Sequence, residues 1–214
     1  MNNHFSTLFA TIFLCFFLLS FPTPSLSAKW NPQDKKAPSP ESLTKLKNLT
    51  TLCFTNTDLS GPIPSFLSKL RSLDSINLAY NNFSGPIPAS LVPKSFANAE
   101  FTSLDFSRNK LEGGISFFFG KNKTLQIADF SRNLFEFNLS KVEFPNNLVF
   151  LELNRKKIFG ILPEDLTKLQ LQLSNVSYNR LCRKIPTGGR LQNFEETAYF
   201  HNLCLCGAPL AACK

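Results

Sequence analysis

Three carboxylates and three guanidiniums recur at matched spacing in the middle of this sequence. Asp105, Asp129 and Glu152 follow one another at intervals of 24 and 23 residues, and Arg108, Arg132 and Arg155 repeat the same intervals three residues later. Carboxyl groups about 5 Å apart are what a retaining glycosidase needs, one as nucleophile and one as acid/base. A fold that stacks these positions would bring the trio to that distance. Arginines beside a carboxylate, however, favour its ionised form, whereas a general acid must keep its proton near the working pH and sit in a cleft. No nucleophile elbow, phosphate loop or metal-ligand cluster accompanies the trio. The expectation is a charged surface that catalyses nothing and needs no cofactor, with the arginines lowering the pKa values of the acids beside them.

The elements that would hold this surface follow from an internal repeat. One register runs from Leu49 to Pro186, with units starting at Leu49, Leu73, Phe101, Leu125, Leu148 and Leu171, so the steps are 24, 28, 24, 23 and 23 residues. That is the period of leucine-rich repeats. Within a unit, apolar residues alternate (Leu49, Leu52, Phe54; Leu73, Ile76, Leu78), which makes a short strand with one apolar face. Asn81, Asn109, Asn133 and Asn179 stand where the chain leaves the strand and can bond the backbone as a ladder. Thr57 and Lys156 interrupt that ladder. Ser60–Pro64 and Ser84–Pro88 both read Ser-Gly-Pro-Ile-Pro, which resembles the plant-type repeat, where these residues open a second short strand.

The predicted fold is thus an α/β solenoid. It is a right-handed leucine-rich-repeat superhelix with a concave parallel sheet, a second short strand, and convex 3-10 or short helices at Ser65–Leu70, Ala89–Lys94, Ser116–Gly120 and Glu164–Leu169. No single unit can bury its own apolar face, so neighbours must cover it. Phe117, Phe118 and Phe119 are expected in the convex core, and Glu164 and Asp165 as partners of a helix start.

Stacking turns single residues into columns. The middle strand column runs Cys53, Asn77, Asp105, Asp129, Glu152, Asn175; the column before the ladder runs Asn56, Tyr80, Arg108, Arg132, Arg155, Tyr178. Adjacent strands lie about 4.8 Å apart. Either each arginine neutralises the acids beside it, for roughly 0–1 kcal/mol per exposed pair, or the face docks a partner through Arg and Tyr, residues favoured at interfaces.

Residues 1–27 read as a secretory signal, with an apolar run from Leu8 to Phe21 that is too short for a comfortable membrane span. The signal contains no charged residue, so the net charge of +8 remains after its removal. Such a balance suits acidic partners. Export excludes nucleic acid and leaves an acidic polysaccharide as one candidate. Oxidising surroundings predict disulfides among Cys182, Cys204, Cys206 and Cys213, for which three connectivities are open. A zinc site is a weaker rival without a His pair. Asn48, Asn82, Asn122, Asn138 and Asn175 each begin an Asn-x-Ser/Thr sequon. The 23 phenylalanines suit interior filling.

The stretches Leu104–Gly113, Glu136–Pro145, Asn175–Cys182 and His201–Leu210 resemble plant polygalacturonase-inhibiting proteins nearly residue for residue. The resemblance runs from about Leu43 to Lys214. It implies a secreted cell-wall protein that binds and inhibits fungal polygalacturonases through the concave face, with pectin as a further partner. It implies the pairs Cys182–Cys204 and Cys206–Cys213, and a contact role for Gln126. The candidate docking residues are therefore Asn77, Tyr80, Asp105, Arg108, Gln126, Asp129, Arg132, Glu152, Arg155 and Tyr178.

The family's N-terminal cap is reduced here, with Trp30 where a cysteine is expected. The domains expected are a signal at 1–27, a vestigial cap at 28–48, six repeats at 49–186 and a stapled C-terminal cap at 187–214. A first unit without its cap would expose Leu49, Leu52 and Phe54, and Cys53 would be left as an unmatched thiol. Two alternatives stand beside inhibition: a degenerate relative that has lost activity, and a repeat surface for another ligand such as a glycan, ice or a receptor partner. Ice would require regular Thr or Asn rows, whereas these columns are charged.

Overall fold

The computed structural model describes residues 49–92 and 101–214. The expected signal at 1–27, the cap remnant at 28–48 and the sequon at Asn48 lie outside the described residues. Each unit opens with a three-residue strand, and six of these pair in parallel in chain order. They are β1 (Thr51–Cys53), β3 (Ser75–Asn77), β5 (Ser103–Asp105), β7 (Ile127–Asp129), β9 (Phe150–Glu152) and β11 (Leu173–Asn175). The register joins Leu52, Ile76, Leu104, Ala128, Leu151 and Ser174 in one row, and every member is buried. Strand side chains alternate, so the residues one position on point away from the core. Those are Cys53, Asn77, Asp105, Asp129, Glu152 and Asn175, also in direct register.

Shorter strands form a second, lateral layer. β2 (Ser60–Gly61), β4 (Asn82–Pro86), β6 (Lys110–Gly113) and β8 (Leu134–Phe135) make one parallel sheet; β10 (Phe159–Gly160), β12 (Arg180–Lys184) and β13 (Cys204–Cys206) make another. The Phe159 amide donates to the Phe137 carbonyl between them (3.2 Å). The opposite side carries only 3-10 turns among the described residues: Ser65–Lys69, Ala89–Leu91, Ser116–Phe118, Leu139–Lys141 and Glu164–Lys168, then Leu191–Asn193 and Glu196–Ala198 near the end. The turn at Leu139–Lys141 was not anticipated. Asn138 caps it by accepting the Ser140 amide (3.0 Å). Gly160, at φ 99°, lies against it, and a Cβ there would collide with the Asn138 and Ser140 side chains.

Burying a Leu, Ile or Phe contributes about 1.5–3 kcal/mol, and one continuous interior threads all units. Its centre is phenylalanine. Phe106, Phe118, Phe130, Phe119, Phe144 and Phe135 touch ring to ring, with centroids 5.2–6.1 Å apart. Phe117 is half-buried beside them. At the first unit, Leu52 is buried, Leu49 half-buried and Phe54 exposed. The expected exposure of Leu52 therefore does not occur: it packs in the row that Ile76 continues.

The asparagine ladder is continuous except at one rung. Asn109 Oδ1 accepts the Phe83 amide (2.9 Å), and Asn109 Nδ2 donates to the carbonyls of Leu78 (2.9 Å), Phe106 (3.1 Å) and Ser107 (3.1 Å). Asn133 and Asn179 repeat this geometry one unit apart from their neighbours. Thr57 does not break it, because its own amide and hydroxyl donate to Asn81 Oδ1 (3.1 and 3.0 Å). Lys156 does. Its Nζ is buried, has no hydrogen-bond partner, and lies 4.6 Å from the Phe135 ring centroid and 5.4 Å from that of Phe130.

The ladder also runs past the sixth unit. Asn202 Oδ1 accepts the Leu181 amide (3.1 Å), and its Nδ2 donates to the carbonyls of Val176 (3.0 Å) and Tyr199 (2.8 Å). The amides of Val176 and Tyr178 donate to the carbonyls of Ala198 (2.8 Å) and Phe200 (2.9 Å). Residues beyond 186 thus supply a partial seventh turn that covers the edge of β11. Disulfides Cys182–Cys204 and Cys206–Cys213 hold it. The buried Tyr199 hydroxyl donates to the Leu191 carbonyl (2.7 Å).

Candidate docking face

The outward row of the six-stranded sheet is built by local hydrogen bonds at the strand ends. Asn77 Oδ1 accepts the Ala79 amide (3.0 Å), Asp105 Oδ1 the Ser107 amide (3.0 Å), Asp129 Oδ1 the Ser131 amide (2.9 Å) and Asn175 Oδ1 the Ser177 amide (3.0 Å). Such Asx turns let the chain leave the strand, so these side chains have a structural role in addition to any contact role. Glu152 accepts instead from the Asn154 side chain, Oε2 to Nδ2 (2.6 Å). All five are half-buried, as is Gln126 just ahead of β7.

Three residues further on, the chain turns through the left-handed region in every unit. Tyr80, Arg108, Arg132, Arg155 and Tyr178 have φ between 53° and 59°. Their amides donate to the next unit's carbonyls, as from Arg108 to Ser131 (3.0 Å) and Arg132 to Asn154 (3.0 Å). That geometry throws the side chains outward, and all five are exposed. His201, at φ 57°, extends the row, stacked on Tyr178 with centroids 4.3 Å apart. Sequence reading missed His201, although its position directly before the ladder residue Asn202 matches that of Tyr178 before Asn179.

The arginines do not neutralise the acids. Among the described residues no ion pair joins the two columns; those present, Lys121 with Glu143 and Asp165 (both 3.7 Å) and Lys168 with Asp165 (2.6 Å), bridge the convex turns. The Arg108 guanidinium lies over the Tyr80 ring at 4.5 Å, and that of Arg155 over Tyr178 at 4.6 Å. Such stacking contributes about 0.5–1 kcal/mol at exposed sites.

The expected lowering is reversed at Asp105 and Glu152. Burial, then the neighbouring Asp129, raises Asp105 to about 6. The same causes raise Glu152 to about 7. Lys156 beneath is held well below its ordinary value by burial. Cys53, at the head of the row, is disulfide-bonded and is no free thiol. The inhibitor resemblance offered no counterpart from which that bond could be read. No group of His, Cys, Asp and Glu among the described residues could hold a metal ion, and no helix there is long and apolar enough to cross a membrane.

A leucine-rich-repeat pattern matches residues 48–70 and 72–93. A plant ice-binding protein superposes with a TM-score of 0.60 at 37% identity, covering 83% of this chain and 79% of that one. The chain is a leucine-rich-repeat solenoid. Similarity also extends to the receptor kinase HAESA of Arabidopsis, solved with a peptide hormone (28% identity, TM-score 0.61, 78% of this chain and 27% of that one). Within this leucine-rich-repeat protein, about half the chain resembles plant polygalacturonase inhibitors. The inhibitor of Pyrus communis is 56% identical over 115 residues, which is 54% of this chain and 35% of the relative. Inhibitor 1 of Arabidopsis thaliana is 54% identical over 117 residues, 55% and 36% respectively. The chain spans about a third of the length of the curated relatives it matches. Those relatives are named as inhibitors, not enzymes.

Proposed function

We propose that this leucine-rich-repeat protein is secreted to the plant cell wall and inhibits fungal polygalacturonases. The outward face of the six-stranded sheet would do the docking. The observation that carries this reading is the row Tyr80, Arg108, Arg132, Arg155, Tyr178: exposed, regularly spaced, fixed by backbone bonds, and not paired to the acids beside it. Arg and Tyr are among the residue types that dominate interface energies, and a backbone already held by hydrogen bonds cuts the entropy lost on binding. Asn77, Asp105, Gln126, Asp129 and Glu152 form the half-buried floor of the same face. An unneutralised arginine row also favours pectin, an acidic polymer, as a second ligand of the wall.

The test is inhibition by the secreted, purified chain against a panel of fungal polygalacturonases. Arg108→Ala, Arg132→Ala and Arg155→Ala are each expected to weaken inhibition about tenfold, or about 1.4 kcal/mol. No inhibition of any enzyme by a chain that melts cooperatively removes the reading. A chain with no cooperative melt supports the degenerate alternative. Ice binding lacks the regular rows it requires, because the column of Thr51, Ser75, Ser103, Ile127, Phe150 and Leu173 is irregular.

Glycosylation should respect this face. Asn82 and Asn122 are exposed and lie off the docking row, whereas Asn175 sits in it with Oδ1 accepting both the amide and the hydroxyl of Ser177 (3.0 and 2.7 Å). Glycopeptide mass spectrometry of the secreted protein is expected to find sugar on Asn82 and Asn122 and none on Asn175. A fully occupied Asn175 would cover the Tyr178 end of the face and count against docking there.

A further inference from the structure

The outward row holds three formal negative charges in direct register. Asp105 pairs with Asp129, and Asp129 with Glu152, on adjacent strands, about 4.8 Å apart. Neutral Asn77 and Asn175 bound the row on β3 and β11. Arg108, Arg132 and Arg155 follow three residues on, and none comes within ion-pair distance of an acid of this row. Among the described residues, Lys156 approaches from inside the core, and its Nζ is buried among aromatic rings with no acceptor. Burial of that kind favours the uncharged amine, so it offers the acids little relief. Half-burial and the like charge of Asp129 between them, with no paired cation, disfavour the ionised forms of Asp105 and Glu152.

We propose that this face is proton-gated. Asp105 and Glu152, on either side of Asp129, take up protons as the pH falls from neutral to mildly acidic, and the arginine row then presents net positive charge to an acidic protein. This rests on the docking reading above and adds its regulation and the charge of its partner. Burial and the like charge of Asp129 hold Asp105 at about 6 and Glu152 at about 7, which sets the window. Above it, three carboxylates offset three guanidiniums and attraction to an acidic partner is weak. Within it, Asp105 and Glu152 become neutral while the arginines, which do not titrate there, keep their charge.

Two measurements on the full secreted chain test this. The first needs no partner: a carboxyl carbon NMR titration is expected to show two carboxyls with midpoints between about pH 5.5 and 7.5, both absent from Asp105→Asn/Glu152→Gln. All carboxyls titrating below pH 5 would overturn the gate. The second is binding to an acidic fungal polygalacturonase at pH 5.0 and 7.5. The variant mimics the protonated face, so it corrects for titration of the enzyme itself. Wild type is expected to gain about tenfold more affinity on acidification than the variant does. Equal gains overturn the gate even if binding is tight. No binding at either pH, with the NMR midpoints as expected, overturns the docking reading and the gated contact with it, while the proton uptake stands.

Discussion

Replacing Asn109 with alanine is expected to destabilise the protein by about 3–5 kcal/mol, more than any other single change proposed for it. The buried amide closes four hydrogen bonds, to the Phe83 amide and to the carbonyls of Leu78, Phe106 and Ser107. Alanine offers none of them. A buried backbone group left without a partner costs about 1–3 kcal/mol, and the Phe83 amide and Leu78 carbonyl both belong to the neighbouring unit. The damage thus falls on the contact between units, which a solenoid depends on most. For a chain of this size, 1 kcal/mol corresponds to about 2–4 °C, so thermal melting should shift down by about 10 °C. A shift under 2 °C would mean that the ladder is ornamental.

The reverse experiment lies at the missing rung. Lys156→Asn is expected to stabilise the protein by about 2 kcal/mol, or about 4–8 °C. The substitution removes an amine that is buried without a partner, and it places an acceptor at the Phe135 amide, the equivalent of Leu111 under Asn133. The pH profile separates this cause from simple repacking. An unfolded lysine keeps its proton up to about pH 10.4, whereas folded Lys156 gives it up well below its ordinary value. The unfolded chain therefore binds more protons in that window, and wild-type stability falls as pH falls through it. Melting curves from pH 7 to 10 should show this slope in wild type and not in Lys156→Asn. Parallel profiles would sink the account.

Much of this was legible in the sequence, and the reason is periodicity. Leucine spacing fixes which residue of each strand faces inward, and direct register then fixes every column; Asp105, Asp129 and Glu152 had no freedom to fall elsewhere. What the sequence did not disclose depends on side-chain direction. The arginines could have turned to the acids or to the tyrosines, and a one-letter column is silent on the choice. The left-handed turn sends them outward, and burial raises the pKa values of Asp105 and Glu152, opposite to expectation. Asn202 and His201 were missed for a different reason. They follow Asn179 and Tyr178 by 23 residues, the correct step, but the cysteines around them drew the segment into a separate cap.

The left-handed turn has a wider consequence. At the position before the ladder residue, seven side chains share it: Asn56, Tyr80, Arg108, Arg132, Arg155, Tyr178 and His201. The amides of all but His201 bond to carbonyls of the following turn, and the same backbone geometry carries unlike side chains. Recognition and architecture are therefore written in separate alphabets at these sites. A lineage could exchange one exposed side chain for another, turn by turn, without renegotiating the scaffold that carries it.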